Sequence, residues 1–151
     1  MDTKELKASL QQKMLETVEQ QLKSALERMD EALEAVQSET KSTAGDKHET
    51  GRAMAQLEQE KAGKIIQTIK QSKNRVQGLP LDNMETVGLG AVVETQKGAF
   101  YISLAMGKLE VAGKTYFAVS PTAPIVQAML GLKAGDSFVF NGITQNIEKI
   151  F

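Results

Sequence analysis

Val18, Leu22, Ala25, Met29, Ala32 and Val36 recur at alternating spacings of four and three, the a/d seam of a coiled coil. The seam sits in a run from about Lys4 to Lys41 that is rich in Glu, Lys, Gln, Leu and Ala and contains no Gly or Pro. The spacing predicts one continuous helix on the order of 55 Å long. Leu6, Leu10 and Met14 extend the stripe toward the N-terminus with less regular spacing. A helix with one apolar stripe is not stable alone, so the stripe requires a partner.

A second helical pattern, from about Lys47 to Val76, supplies one. Met54, Leu57, Ile65, Ile69 and Val76 are its expected stripe, with Lys61 and Ser72 as polar interruptions. The only break between the two patterns is Ser38 to Gly45, short enough to favour an antiparallel helical hairpin within one chain. Pairing between parallel chains is the alternative.

Composition then changes abruptly. Residues 1–78 hold 26 of the 37 charged residues and no aromatic, whereas 79–151 hold all seven aromatics, all three prolines and eight of the twelve glycines. A division this complete predicts two units of different class: a coiled-coil hairpin over 1–78 and a small α+β domain over 79–151. The boundary is expected at Gln77 to Asn83, where Gly78 and Pro80 punctuate the pattern.

In the second unit, Val87 to Thr95 and Ala99 to Ala105 are β-rich runs around Gln96-Lys97-Gly98. Lys108 to Ala112 and Thr115 to Ser120 flank Gly113-Lys114. Pro124 to Leu130 reads as a short helix with Thr122 as its cap and Gly131 as its stop. Ile125, Met129 and Leu130 are expected to cover one face of the sheet. Ser137 to Phe140 and Ile143 to Ile150 flank Asn141-Gly142, a strong hairpin signal. The expected total is about six strands and one helix.

The net charge of −1 gives no bulk attraction to nucleic acid or an anionic membrane. The absence of cysteine excludes thiol chemistry and fits a reducing compartment. No run reaches the roughly 18 apolar residues of a membrane span, and the charged start at Asp2 and Lys4 is unlike a secretory signal. These features predict a soluble, cytoplasmic protein with no membrane partner.

One stretch between the helices carries candidate chemistry, Gly45-Asp46-Lys47-His48-Glu49. Asp followed three residues later by Glu is a capping-box pattern at a helix start. The same two carboxylates, exposed at the tip of an arm, can complete a Mg²⁺ site in another molecule, because Mg²⁺ is commonly held by one or two carboxylates with water and substrate oxygens. The two roles are compatible. Lys41, Lys47, Arg52 and His48 are candidate phosphate contacts, with a solvated charged surface as the simpler reading; nothing pairs His48 with a nucleophile. In the second unit, Ser120-Pro121-Thr122-Ala123-Pro124-Ile125, then Met129-Leu130-Gly131 and Gly135-Asp136, read as a strand end, a short helix and a turn.

Taken together and in this order, these stretches resemble the Gre transcript-cleavage factors of bacterial RNA polymerase. That family has a Gly-Asp-x-x-Glu-Asn motif at a hairpin tip, matched here by Gly45 to Thr50. It also has a Ser-Pro-Ile…Leu-(Leu/Ile)-Gly-Lys segment, matched by Ser120 to Ile125 and Met129 to Gly131. The resemblance implies an FKBP-like C-terminal domain that docks on RNA polymerase through Ser120, Pro121, Pro124 and Ile125. It implies a hairpin that enters the secondary channel, with Asp46 and Glu49 holding a Mg²⁺ shared with the polymerase. The polymerase then cleaves its own backtracked transcript at the nascent RNA 3′ end; Lys41, Lys47 and Arg52 are, from their charge and place in the stretch alone, the candidate contacts to that RNA. The chain would be a monomeric accessory factor, not an enzyme. It departs from the family at Thr50, where Asn is usual, and at Gly51-Arg52-Ala53, which replace Ala-Glu-Tyr; the Ser-Pro-Ile segment carries an insertion. A channel-binding regulator without cleavage activity and a dimeric coiled-coil adaptor are the alternative readings.

Overall fold

The computed structural model describes residues 1–41 and 45–151, with side chains described throughout these except at 39–41 and 45–48. The fold is α+β: two long helices followed by a six-stranded mixed sheet with one short helix. Helix α1 spans Thr3–Lys41 and α2 spans Gly45–Gln77. No helix among the described residues is long and apolar enough to cross a membrane. Packing divides the chain into two compact units, Glu16–Asn74, and Met1–Leu15 with Arg75–Phe151.

The first unit is the antiparallel hairpin. Lys73 Nζ lies 3.9 Å from Glu19 Oε1. Ten residues further along α1 and ten back along α2, Met29 lies against Gly63. Those two contacts fix an in-register antiparallel pair within one chain. The expected α1 seam is the observed one: Val18, Ala25 and Ala32 are buried, and Leu22, Met29 and Val36 are half-buried.

The α2 stripe follows expectation at Ile69 and Val76 and differs from it elsewhere. Met54, Leu57 and Ile65 are exposed, Met54 by 65%. The inward positions are Ala55, Gln59, Ala62, Ile66, Ile69, Lys73 and Val76, which alternate four and three like those of α1. Small side chains at 55 and 62 allow the helix backbones to approach closely, and that approach leaves the bulkier residues beside them in solvent.

The second unit contains the sheet and the lower turns of both helices. Asp2 caps α1, its Oδ1 accepting from Glu5 N at 2.8 Å. Gln11 Nε2 donates to the carbonyls of Val76 at 2.9 Å and Gln77 at 3.3 Å, satisfying the free end of α2.

The strands are β1 (Val92–Thr95), β2 (Gly98–Ile102), β3 (Gly107–Val111), β4 (Lys114–Val119), β5 (Ser137–Phe140) and β6 (Ile143–Ile150), in the order β3-β4-β2-β1-β6-β5. All pairs are antiparallel except β2 with β4. Helix α3 (Pro124–Met129) covers one face. Its Val126 and Met129 join Val93, Ile102, Phe138 and Ile147 in the main core. On the other face, Val92, Ala99, Tyr101, Leu109, Tyr116 and Ala118 are also buried. On that face Lys114 pairs with Glu94.

Four details depart from the sequence expectation. Residues 87–91 are not part of β1; Gly90, at φ +89°, breaks the run. The β3–β4 turn is Ala112-Gly113, both at positive φ, with Lys114 already in β4. The turn needs left-handed conformations at both central residues, and Ala is a poor sequence signal for one. Ala123, not Thr122, is the N-cap of α3, and it makes no side-chain cap bond; the Thr122 hydroxyl instead meets Ser120 Oγ at 2.9 Å. Leu130 is exposed, and Val126 takes the core position expected of it.

Candidate functional site

Helix α2 begins at Gly45, so positions 46 and 49 lie in its first turns, three residues apart on one helical backbone. The side chains of Asp46, Lys41, Lys47 and His48 lie outside the described residues. Glu49, Thr50 and Arg52 are exposed, and Gly51 is half-buried. Glu49 and Arg52 are again three residues apart, so a carboxylate and a guanidinium share this end of α2 within one turn.

Below this region, the hairpin carries an open cleft of about 510 Å³ lined by Arg28, Ala32, Ala35, Gly51, Met54 and Ile65, among others. The alanines and Gly51 leave the space, and Met54 and Ile65 wall it. Its polar residues include Glu31 and Glu58 as well as Arg28 and Lys61, so its charge is mixed.

The chemistry available at the start of α2 is that of hard oxygen donors. Glu49 is one accessible carboxylate near a helix N-terminus, of the type Mg²⁺ accepts when most of its shell is water or another molecule's oxygens. Among the described residues, no three His, Cys, Asp or Glu side chains are gathered as a self-sufficient metal site. An exposed carboxylate of this type can supply one ligand to a divalent ion whose remaining ligands come from water or another molecule.

The second candidate segment is built by local hydrogen bonds at the end of β4. Ser120 Oγ accepts from Thr122 N at 3.2 Å, and Ser120 O accepts from Ala123 N at 3.0 Å. Gln127 Nε2 donates to Pro121 O at 2.7 Å, tying the turn to α3. Pro124 is exposed, Ser120 and Pro121 are half-buried, and Ile125 packs partly against the core. Ile125 thus has an internal packing role, and the accessible surface here comes from Thr122, Pro124 and the outer parts of Ser120 and Pro121. The structure brings Ser120, Pro121, Pro124 and Ile125 together where the turn after β4 leads into the first residues of α3.

No protein-family model matches the chain, and no curated protein matches it. Solved structures do align with it at low similarity. GreA factor homolog 1 (Gfh1) of Thermus thermophilus is 21% identical, with 92% of this chain and 95% of that one covered and a TM-score of 0.39. A structure described as the transcription factor Gfh1 is 23% identical, covering 91% and 93% at a TM-score of 0.40. Thermus aquaticus Gfh1 is 19% identical, covering 92% and 94% at 0.34.

The sequence reading passed over two other features. Lys7 is fully buried, and its Nζ donates to Asp82 O at 2.5 Å. Burial pushes its amine down to about 8, against a smaller opposing effect of the Asp82 charge. Tyr101 is fully buried, its hydroxyl has no hydrogen-bond partner among the described residues, and burial pushes the phenol up to about 12. Lys7 falls on the same four-three rhythm as Met14 and Val18, a signal that its charge masked.

Proposed function

We propose that the chain is a Gre-like transcription factor that enters the secondary channel of RNA polymerase. There it would stimulate cleavage of backtracked transcripts through Asp46 and Glu49. The supporting observation is the placement of the Gly45-Asp46-x-x-Glu49 motif at the start of α2, where an antiparallel hairpin reverses. The motif residues then belong to one end of the hairpin, and Glu49 is exposed. Bound Mg²⁺ would supply charge neutralisation and an activated water at the phosphodiester. Asp46 and Glu49 would provide oxygen ligands, Lys41, Lys47 and Arg52 would meet RNA phosphates, and the turn from Ser120 to Ile125 would dock the second unit on the polymerase. The chain acts as an accessory factor to the polymerase's own hydrolysis.

The test is a purified polymerase halted in a backtracked complex. Adding the protein with Mg²⁺ should release short 3′ RNA fragments. Asp46→Ala and Glu49→Ala should each abolish release while leaving polymerase binding intact. Full activity in both variants would remove the tip from the chemistry.

Arg52 favours a second reading, a channel-binding regulator that does not promote cleavage. Its exposed guanidinium lies three residues from Glu49 on one helix, a spacing at which it would compete with a metal ion for the carboxylate. The same assay separates the two, since the regulator binds polymerase and alters initiation or pausing without releasing RNA.

A further inference from the structure

Charge is divided unequally between the two helices of the hairpin. In α2, residues 61–77 carry five Lys or Arg and no Asp or Glu. The register fixed by Glu19 with Lys73 and by Met29 with Gly63 sets that stretch level with residues 15–31 of α1. There the balance is reversed, five acids against two bases. The Glu19–Lys73 pair uses part of this asymmetry within the chain. Lys61 is placed otherwise: it pairs at 3.4 Å with Glu58 of its own helix, and both side chains are more than half exposed.

One face of the hairpin is also left open. The cleft of about 510 Å³ continues, away from the reversal, into a second of about 390 Å³, and the two share Arg28 and Ile65. Together they run from Gly51 to Ile69 along α2, about 27 Å of helix. Ala25, Ala32, Ala55 and Ala62, all buried, form the floor of this groove. Met54 and Ile65 stand on its α2 wall, 65% and 43% exposed. Glu31 on the α1 rim is level with Lys61 on the α2 rim.

We propose that this groove is the interface of a parallel homodimer, two copies packing groove to groove about a two-fold axis that runs along the hairpin. That axis sets α1 of each copy beside α2 of the other, level against level. The acidic stretch then meets the basic one twice, and Glu31 of each copy faces Lys61 of the other. Met54 and Ile65 leave water against the partner's α1, and the alanine floor lets the four helices approach as a bundle. Charge selects both the occupant and its orientation. Turned end over end, a second copy would set α1 against α1 and α2 against α2, like charge against like. A lone foreign helix would lie between both walls and have to answer an acidic and a basic one at once. A second hairpin brings a basic helix to the acidic wall and an acidic helix to the basic wall. The strip is short and partly polar, so the dimer is weak and dependent on concentration. It departs from the monomer expected from the sequence and does not rest on the proposed function.

The test is sedimentation equilibrium on the full chain with the two charges exchanged. The wild type should pass from monomer to dimer as concentration rises. Glu31→Lys and Lys61→Glu each set like charges face to face at two points, and each should weaken the dimer about tenfold. The double variant, Glu31→Lys with Lys61→Glu, should restore it. Both residues are exposed, so the helical circular dichroism of the monomer should be the same in all four proteins. The chain has no cysteine, which permits a second readout. Glu31→Cys mixed with Lys61→Cys should form a disulfide between the two variants faster than either forms one alone. A chain that stays monomeric up to millimolar concentration overturns the proposal and leaves the groove to a helix of another protein. A dimer indifferent to the single reversals, or one that the double variant fails to restore, also overturns it. Either result would place the contact elsewhere, for instance on Leu26 and Leu33 of α1, both exposed.

Discussion

Lys7 Nζ donates to the backbone oxygen of Asp82, tying the first turns of α1 to the segment that follows α2. Both residues lie within one compact unit. The ammonium is fully buried, and burial lowers its proton affinity from 10.5 to about 8. Between these values the folded protein has released a proton that the unfolded chain still holds, so stability rises with pH. Below about 8 both states are charged and the cost of the buried charge is carried in full. Denaturant unfolding between pH 7.5 and 9.5 should show that rise in the wild type. Lys7→Met, which keeps the volume and removes the charge, should flatten it. An unchanged slope in the variant would assign the rise to another group.

Tyr101 has the opposite sign. Its hydroxyl is buried with no hydrogen-bond partner among the described residues, and burial raises the phenol from 10.0 to about 12. Between those values the folded state keeps a proton that the unfolded chain has lost, so stability falls as pH climbs above 10. Tyr101→Phe removes both the fall and the unsatisfied group. Because a buried polar atom without a partner costs about 1–3 kcal/mol, the variant should be more stable at neutral pH by about 1 kcal/mol. A loss of stability in Tyr101→Phe would show that the hydroxyl has a partner in solution, such as a bound water.

These two residues mark where the sequence was legible and where it was not. The α1 seam was legible because its positions are filled by Val18, Leu22, Met29 and Val36, whose size and spacing agree. The α2 seam was legible only in part: Ile69 and Val76 face inward as expected, but other inward positions hold Ala55 and Ala62, while the larger Met54 and Ile65 sit one residue aside and Leu57 two. Hydrophobic size is a poor guide where close helix approach selects small residues. Asn141-Gly142 announced its hairpin because the conformation is local. The parallel pairing of β2 with β4 is set by long-range packing and left no mark in the pattern. At the candidate site, the motif residues and the turn from Ser120 were readable as a sequence of residue types. The internal packing of Ile125 was not, because it depends on where α3 lies.

Gly63 lies inside α2, where glycine has no conformational task among the turns and caps. A Cβ added there would meet Met29 Cε at 3.5 Å, ordinary van der Waals contact with the flexible end of a side chain. Glycine in a helix interior costs roughly 0.5–1 kcal/mol relative to alanine. Gly63→Ala should therefore stabilise the hairpin by about that amount, read as a higher midpoint when helical circular dichroism is followed against temperature. A lower midpoint would mean that the seam cannot accept even one methyl group at the Met29 level.

Gly90 is the contrasting case. Its φ of +89° is disfavoured for a residue with a side chain, and a Cβ would fall 2.5 Å from Pro80 Cγ and 3.1 Å from Pro80 O. Its N–H donates to Ile102 O at 2.7 Å, so the backbone cannot move away without breaking a bond to the end of β2. Gly113, in the β3–β4 turn, has a similar φ of +77°, but a Cβ there meets nothing within 4 Å. Alanine at either position carries the left-handed strain of about 1–2 kcal/mol, and only alanine at 90 adds the collision. Gly90→Ala should lose about 2–4 kcal/mol in denaturant unfolding, and Gly113→Ala about half of that or less. Equal losses would mean that Pro80 yields to the methyl group, and that backbone conformation alone selects glycine at position 90.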